Sequence, residues 1–122
     1  MENETGQLQE NLEALVKERT KELDFNFIRV NQAYARADER DVSEFPGKNH
    51  FELYPSDAKG IFEQVVGTKA PYQAFARPFS YPGHPEWGVT YWDWTLVPIM
   101  NSLDEVDQLI FSQRLNQNRY QS

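Results

Sequence analysis

Several side chains that could hold a small molecule fall on two predicted strands in the second half of the sequence. Trp92 and Trp94 stand two residues apart in a run of aromatic and β-branched residues, so a strand would turn both indoles to one face. Phe75 and Arg77 show the same alternation, and the planar fork of an arginine matches a carboxylate or a phosphate. If helices cover that face, we expect Arg77 to anchor an anionic ligand. On the opposite face it would be an ordinary exposed arginine.

Catalysis would need a different arrangement of the same side chains. Asp93 or Asp57 could serve as a base, with a tyrosine or His50 as its partner. However, alternation turns Asp93 to the face opposite Trp92 and Trp94, and the sequence has no nucleophile elbow, phosphate loop or metal-spaced cluster. We therefore expect no catalytic residue, no metal site and no enzymatic activity.

Composition restricts the partners and the compartment. The chain has 122 residues, a formal net charge of -7 and no lysine or arginine between Arg77 and Arg114, so a nucleic acid is an improbable partner. It has no cysteine, which suits a reducing compartment. No apolar run reaches the length of a membrane span, and the first residues are acidic where a signal peptide would be basic. We expect a cytoplasmic protein without a membrane span.

The first 23 residues have the pattern of an amphipathic helix. Leu8, Leu12 and Leu15 fall on one narrow stripe, which resembles a coiled-coil seam. We predict a helix over residues 5–23 that pairs with its counterpart in a homodimer. The alternative is a helix that packs on its own domain.

The remaining elements predict an α+β fold with an antiparallel sheet. A short strand over residues 24–31 is followed by two short helices and by an amphipathic helix over residues 56–67 that contains Phe62. Strands are expected over residues 71–81, 88–99 and 106–112, and the polar tail over residues 113–122 should fray. His84 lies in the Pro/Gly-rich loop between the first two of these strands and is expected to be solvated.

The order of these elements resembles that of the PAS sensory domain family. The resemblance rests on Phe27-Ile-Arg-Val-Asn31 with Gln32-Ala-Tyr-Ala35, on Gly47-Lys-Asn49, and on a long strand that ends in Pro98-Ile99. The helix that ends in Glu-Arg-Thr-Lys-Glu-Leu23 resembles the linker helices of bacterial and archaeal sensor histidine kinases. The resemblance implies a linker and dimerisation helix over residues 1–23, a sensory domain over residues 24–112 and a polar tail over residues 113–122.

Two departures from the family pattern stand out. PAS domains usually begin with a strand before the Asp24 turn, but Leu23 joins Asp24 directly, so we expect the first strand to be missing, altered or supplied by another chain. The end of the last strand reads Ser112-Gln-Arg-Leu115 in place of the family's usual output-coupling motif.

The resemblance also implies a ligand site between the sheet and the short helices. His50 stands where flavin-binding light sensors of this family carry a reactive cysteine, so flavin adduct chemistry is excluded, and the helix over residues 56–67 has no histidine for a haem. The cofactor is therefore unknown. The candidate ligand-binding residues are His50, Phe62, Phe75, Arg77, Trp92 and Trp94.

Two functions fit this interpretation. The first is a signal-sensing module of a larger signal-transduction protein, such as a sensor histidine kinase of a two-component system, that binds a small ligand and signals through dimer helix packing. The second is a ligand-free module for protein interaction and dimerisation, in which the indoles only fill the core.

Overall fold

The computed structural model describes residues 12–17 and 25–116. In these residues five strands form one antiparallel sheet in the order β2-β1-β5-β4-β3. The strands are β1 (Leu12–Lys17), β2 (Asn26–Val30), β3 (Tyr72–Phe79), β4 (Thr90–Met100) and β5 (Val106–Leu115). Together with the short helices described below, this sheet confirms the predicted α+β class.

The first strand corrects the prediction for the N-terminal segment. Leu12–Lys17, which we expected within a helix, is a strand that lies between β2 and β5 and pairs with both. Ala14 and Val16 are buried on the face toward the helices, whereas Leu15 pairs with Ile110 on the other face. The helical seam is therefore wrong for Leu12 and Leu15, and Leu8 lies outside the described residues.

The sheet also changes the expected boundaries of the domain. The first strand, which we expected to be missing, altered or supplied by another chain, is β1, so the sheet begins before residue 24. At the other end, β5 continues to Leu115, three residues into the segment expected to be a tail, and Leu115 pairs with Trp92. A longer β5 gives β4 a partner along most of its length.

Short helices cover one face of the sheet. Helix α1 (Gln32–Ala37) begins where the Asn31 side chain accepts a hydrogen bond from the Tyr34 amide, and α2 (His50–Leu53) begins at Asn49 in the same way. The longest helix, α3 (Lys59–Thr68), buries Phe62 and Val65. In the described part of the chain, no helix has the length and apolar character needed to cross a membrane.

The core lies between these helices and the sheet. Along β4 the side chains of Trp92, Trp94 and Leu96 are buried, and the intervening residues are only partly buried, as the alternation predicts. The largest fully buried side chains facing them are phenylalanines, among them Phe27, Phe45 and Phe62. The predicted inner face of the long strand is thus confirmed.

Candidate functional site

A cavity lies between the inner face of the sheet and the helices. Its free volume is about 60 Å³, which is room for roughly four to six water-sized groups. Five of the six candidate residues line it, and aromatic rings make up most of its wall. The lining residues are Tyr34, His50, Tyr54, Ser56, Asp57, Ala58, Phe62, Arg77, Pro78, Phe79, Tyr81, Trp92, Trp94, Phe111 and Gln113.

His50 is the one histidine in this wall. The Asn49 cap places it in the first turn of α2, and its ring packs 4.5 Å from Phe51 and 5.1 Å from Phe62, measured between ring centroids. Neither ring nitrogen has a hydrogen-bond partner among the described residues, although the residue is only 4% exposed. Burial lowers the pKa of His50 to about 3, so the imidazole is neutral near pH 7.

The two indoles occupy much of the space beneath the helices. Trp92 donates a hydrogen bond from Nε1 to Thr90 Oγ1 at 2.8 Å, and Trp94 packs against Phe111 with ring centroids 5.3 Å apart. Trp92 and Trp94 are each 6% exposed. The indoles therefore fill part of the hollow and also line the space that remains.

Arg77 lies on the inner, helix-covered face of β3. This is the alternative in which it could anchor an anionic ligand. Its Nη2 donates to Asp57 Oδ1 at 3.0 Å, and its guanidinium carbon lies 5.8 Å from the centroid of the Trp94 ring. The Asp57 side chain is 88% exposed and that of Arg77 is 31% exposed. The pair thus stands where the cavity meets solvent.

Phe75 does not line this cavity, and the prediction that it shares a face with Arg77 is wrong. The register of β3 shifts between Ala74 and Arg77, where Ala76 has a φ of 52°. This bulge turns Phe75 outward, and the residue is 65% exposed. The Ala76 amide donates to Asp93 Oδ1 at 2.8 Å, which secures the bulge on the outer side of the sheet.

A buried carboxylate next to the cavity was missed from the sequence. Asp38, only 5% exposed, accepts hydrogen bonds from the Tyr54 hydroxyl at 2.8 Å and from Arg40 Nε at 2.6 Å. Burial raises the pKa of Tyr54 and of Tyr81, so both hydroxyls stay protonated at neutral pH. No local sequence pattern indicates this network, because Asp38 and Tyr54 are 16 residues apart.

His84 corrects a second expectation, because its side chain is only 17% exposed. It stacks on Trp87 at a centroid distance of 3.7 Å, and its Nε2 lies 3.3 Å from the Asp38 carbonyl oxygen. Partial burial lowers the pKa of His84, but contacts with Asp38 and Glu86 outweigh this effect and leave the pKa raised. The loop between β3 and β4 is thereby attached to the end of α1.

The cavity does not suit the large cofactors associated with this type of fold. Its volume of about 60 Å³ is far below the roughly 300–1,000 Å³ of sites that enclose ligands of drug size. A flavin or a haem would need the indoles to move aside, and the chain has no cysteine for a flavin adduct. Among residues 12–17 and 25–116, no three histidine or acidic side chains form a group that could hold a metal ion.

Comparisons with known proteins agree with this architecture. The sequence matches no family model and no curated protein. Its structure is similar to a sensory box sensor histidine kinase from Vibrio cholerae, with a TM-score of 0.72 and 15% identity over 93% of this chain and 87% of that chain.

Two further structures extend the similarity. A domain of an HTR-like protein from Haloarcula marismortui gives a TM-score of 0.60 at 13% identity, covering 86% of this chain and 96% of that one. The PAS domain of the fruit-fly ELK potassium channel gives a TM-score of 0.62 at 17% identity, covering 90% of this chain and 88% of that one. The topology, the position of the cavity and these similarities together show that the chain has the fold of a PAS domain.

Proposed function

We propose that this chain is the signal-input module of a larger signal-transduction protein and that it binds a small molecule in the cavity. The observation that carries the proposal is His50, a buried residue whose two ring nitrogens have no hydrogen-bond partner within residues 12–17 and 25–116. An unpartnered polar group in a protein interior is costly, and a phenylalanine would fill the same aromatic surroundings without that cost. A ligand that pairs with the imidazole explains why a histidine occupies this position.

A sensor histidine kinase of a two-component system is the parent protein that we favour. The similarity to a sensory box of such a kinase supports this assignment. The histidine kinase activity would belong to that parent protein, and we propose that this module is not an enzyme. A cytoplasmic location fits a chain without cysteine, and the net charge of -7 argues against a nucleic-acid partner.

Binding would produce a signal only if the ligand distinguishes two packing states of the helices on the sheet. We place this change at α2 and α3, because both helices supply residues to the cavity wall and Asp57 lies just before the Ala58 cap of α3. A homodimer remains part of the proposal. Light scattering of the intact chain tests it, and the mass of a monomer would refute it.

The proposal is tested by a thermal-shift screen of small acids, alcohols, amides and amines against the native chain and the variant His50→Phe. A ligand present at 100 times its dissociation constant should add about 2.7 kcal/mol to the free energy of unfolding of the native chain. The variant should fold but respond at least tenfold more weakly to the same compound. If no compound stabilises the native chain, the ligand-free interaction module becomes the better interpretation.

A further inference from the structure

The cavity carries a single fixed positive charge in its described wall. Arg77 is the only arginine or lysine among the lining residues, and its partner there is Asp57, whose side chain is almost fully exposed. An exposed ion pair of this kind contributes little to stability. An incoming anion can therefore replace Asp57 on Arg77.

The position of the guanidinium prepares it for such an exchange. It lies 5.8 Å from the centroid of the Trp94 ring, close enough for a cation–π contact that holds the group beside the cavity while its partner changes. A carboxylate matches the fork of N–H donors with two parallel hydrogen bonds. The charge and the shape of this end of the cavity thus favour a carboxylate.

His50, which lines the same cavity, requires a different chemical group on the ligand. A neutral imidazole offers one donor and one acceptor, and in the described part of the chain neither nitrogen of His50 has a partner. A hydroxyl group donates and accepts, so it can pair with either nitrogen in either tautomer. The small free volume of the cavity, about 60 Å³, favours a small ligand.

We propose that the ligand is a short hydroxycarboxylate whose carboxylate binds Arg77 in place of Asp57 and whose hydroxyl pairs with His50. This inference rests on the proposed function and specifies the ligand class for the same cavity. Release of Asp57 would break the link between β3 and the turn just before α3. The exchange thereby couples the ligand to the helix that covers the cavity.

Isothermal titration calorimetry with racemic lactate tests the exchange. Arg77→Gln should weaken lactate binding about tenfold to a hundredfold, because charge-assisted hydrogen bonds are lost. Asp57→Asn should tighten it by up to about fivefold, because the competing carboxylate is removed. Arg77→Lys should give an intermediate affinity, and Arg29→Gln, which changes an exposed arginine on β2, should have no effect.

Two matched compounds separate the contributions of the ligand. Propionate lacks the hydroxyl and lactamide lacks the charge, so both should bind at least tenfold more weakly than lactate. If lactamide binds as tightly as lactate, or if another neutral or basic compound binds with dependence on His50, the hydroxycarboxylate inference is wrong while the sensor proposal stands. If neither lactate nor any compound of the wider screen binds, both the hydroxycarboxylate inference and the sensor proposal are wrong. If Arg77→Gln and Asp57→Asn change the affinity for lactate equally, the proposal that the ligand replaces Asp57 on Arg77 is also wrong.

Discussion

His50 illustrates how the fold determines the state of a single residue. The histidine ring packs among phenylalanines, makes no hydrogen bond with the described residues and is held neutral by burial. Its pKa falls from the ordinary 6.5 to about 3, so protonation favours the unfolded chain. The stability that depends on the neutral imidazole is complete above about pH 6.5 and is lost as the pH falls toward 3.

This shift predicts a pH-dependent difference between the native chain and His50→Phe. Between pH 7 and pH 5 the native chain should lose about 2 kcal/mol of unfolding free energy more than the variant, because only the native chain takes up a proton at residue 50 on unfolding. Urea denaturation followed by tryptophan fluorescence at each pH measures the difference. Parallel pH profiles would show that His50 titrates in the folded chain as it does in the unfolded chain.

His84 provides a control, because its pKa is raised whereas the pKa of His50 is lowered. Its raised pKa means that its contribution to stability is complete below the unfolded pKa and is lost as the pH rises through the folded value. His84→Gln should therefore cost the most stability in acid, where His50→Phe gains relative to the native chain. Curves that move in the same direction for both variants would contradict the two assignments.

Among the elements, β1 shows how one segment can satisfy two patterns. Leu8, Leu12 and Leu15 follow a helical stripe, whereas Leu12, Ala14 and Val16 alternate as a strand does. The choice is made by two neighbours, β2 and β5, which supply ladders of backbone hydrogen bonds on both sides. Both neighbours lie outside the segment, and β5 is near the other end of the described chain, so local periodicity could not select the strand.

A pair of serine substitutions distinguishes the two patterns. Val16→Ser should cost about 2–3 kcal/mol of unfolding free energy, because it removes a fully buried apolar side chain and introduces a hydroxyl into the core. Leu15→Ser, on the outer face, should cost less than about 1 kcal/mol. Urea denaturation of both variants measures the costs. A larger loss for Leu15→Ser would favour the helical seam.

The other elements were easier to predict from the sequence. The apolar face of α3 and the alternation of β4 each depend on neighbours within one element, and the structure agrees with both. Phe75 was misplaced because Ala76 adopts a positive φ that reverses the alternation along β3. An alanine gives no sequence signal for such a conformation, since glycine is the residue that favours it.

At the scale of the whole molecule, element order was enough to predict the fold, whereas the volume of the cavity was not predictable. The candidate residues come from α2, α3, β3 and β4, and the strand alternation correctly brought Trp92 and Trp94 to the covered face. How much space remains depends on how two large indoles pack against side chains from other elements, such as Phe111. Such packing is a tertiary property with no local pattern.

The central claim is that a small molecule occupies this cavity, and the indole signals of the three tryptophans of the chain can test it. The most direct measurement is the shift of the indole N–H resonances of a ¹⁵N-labelled sample during titration with lactate and with the compounds of the screen. Trp92 and Trp94 line the cavity, whereas Trp87 lies outside it in the 3₁₀ turn Pro85–Trp87. We predict that a binding compound shifts the Trp92 and Trp94 signals in proportion to its occupancy and leaves Trp87 unchanged. Unchanged Trp92 and Trp94 signals across all compounds, or shifts confined to Trp87, would contradict the claim.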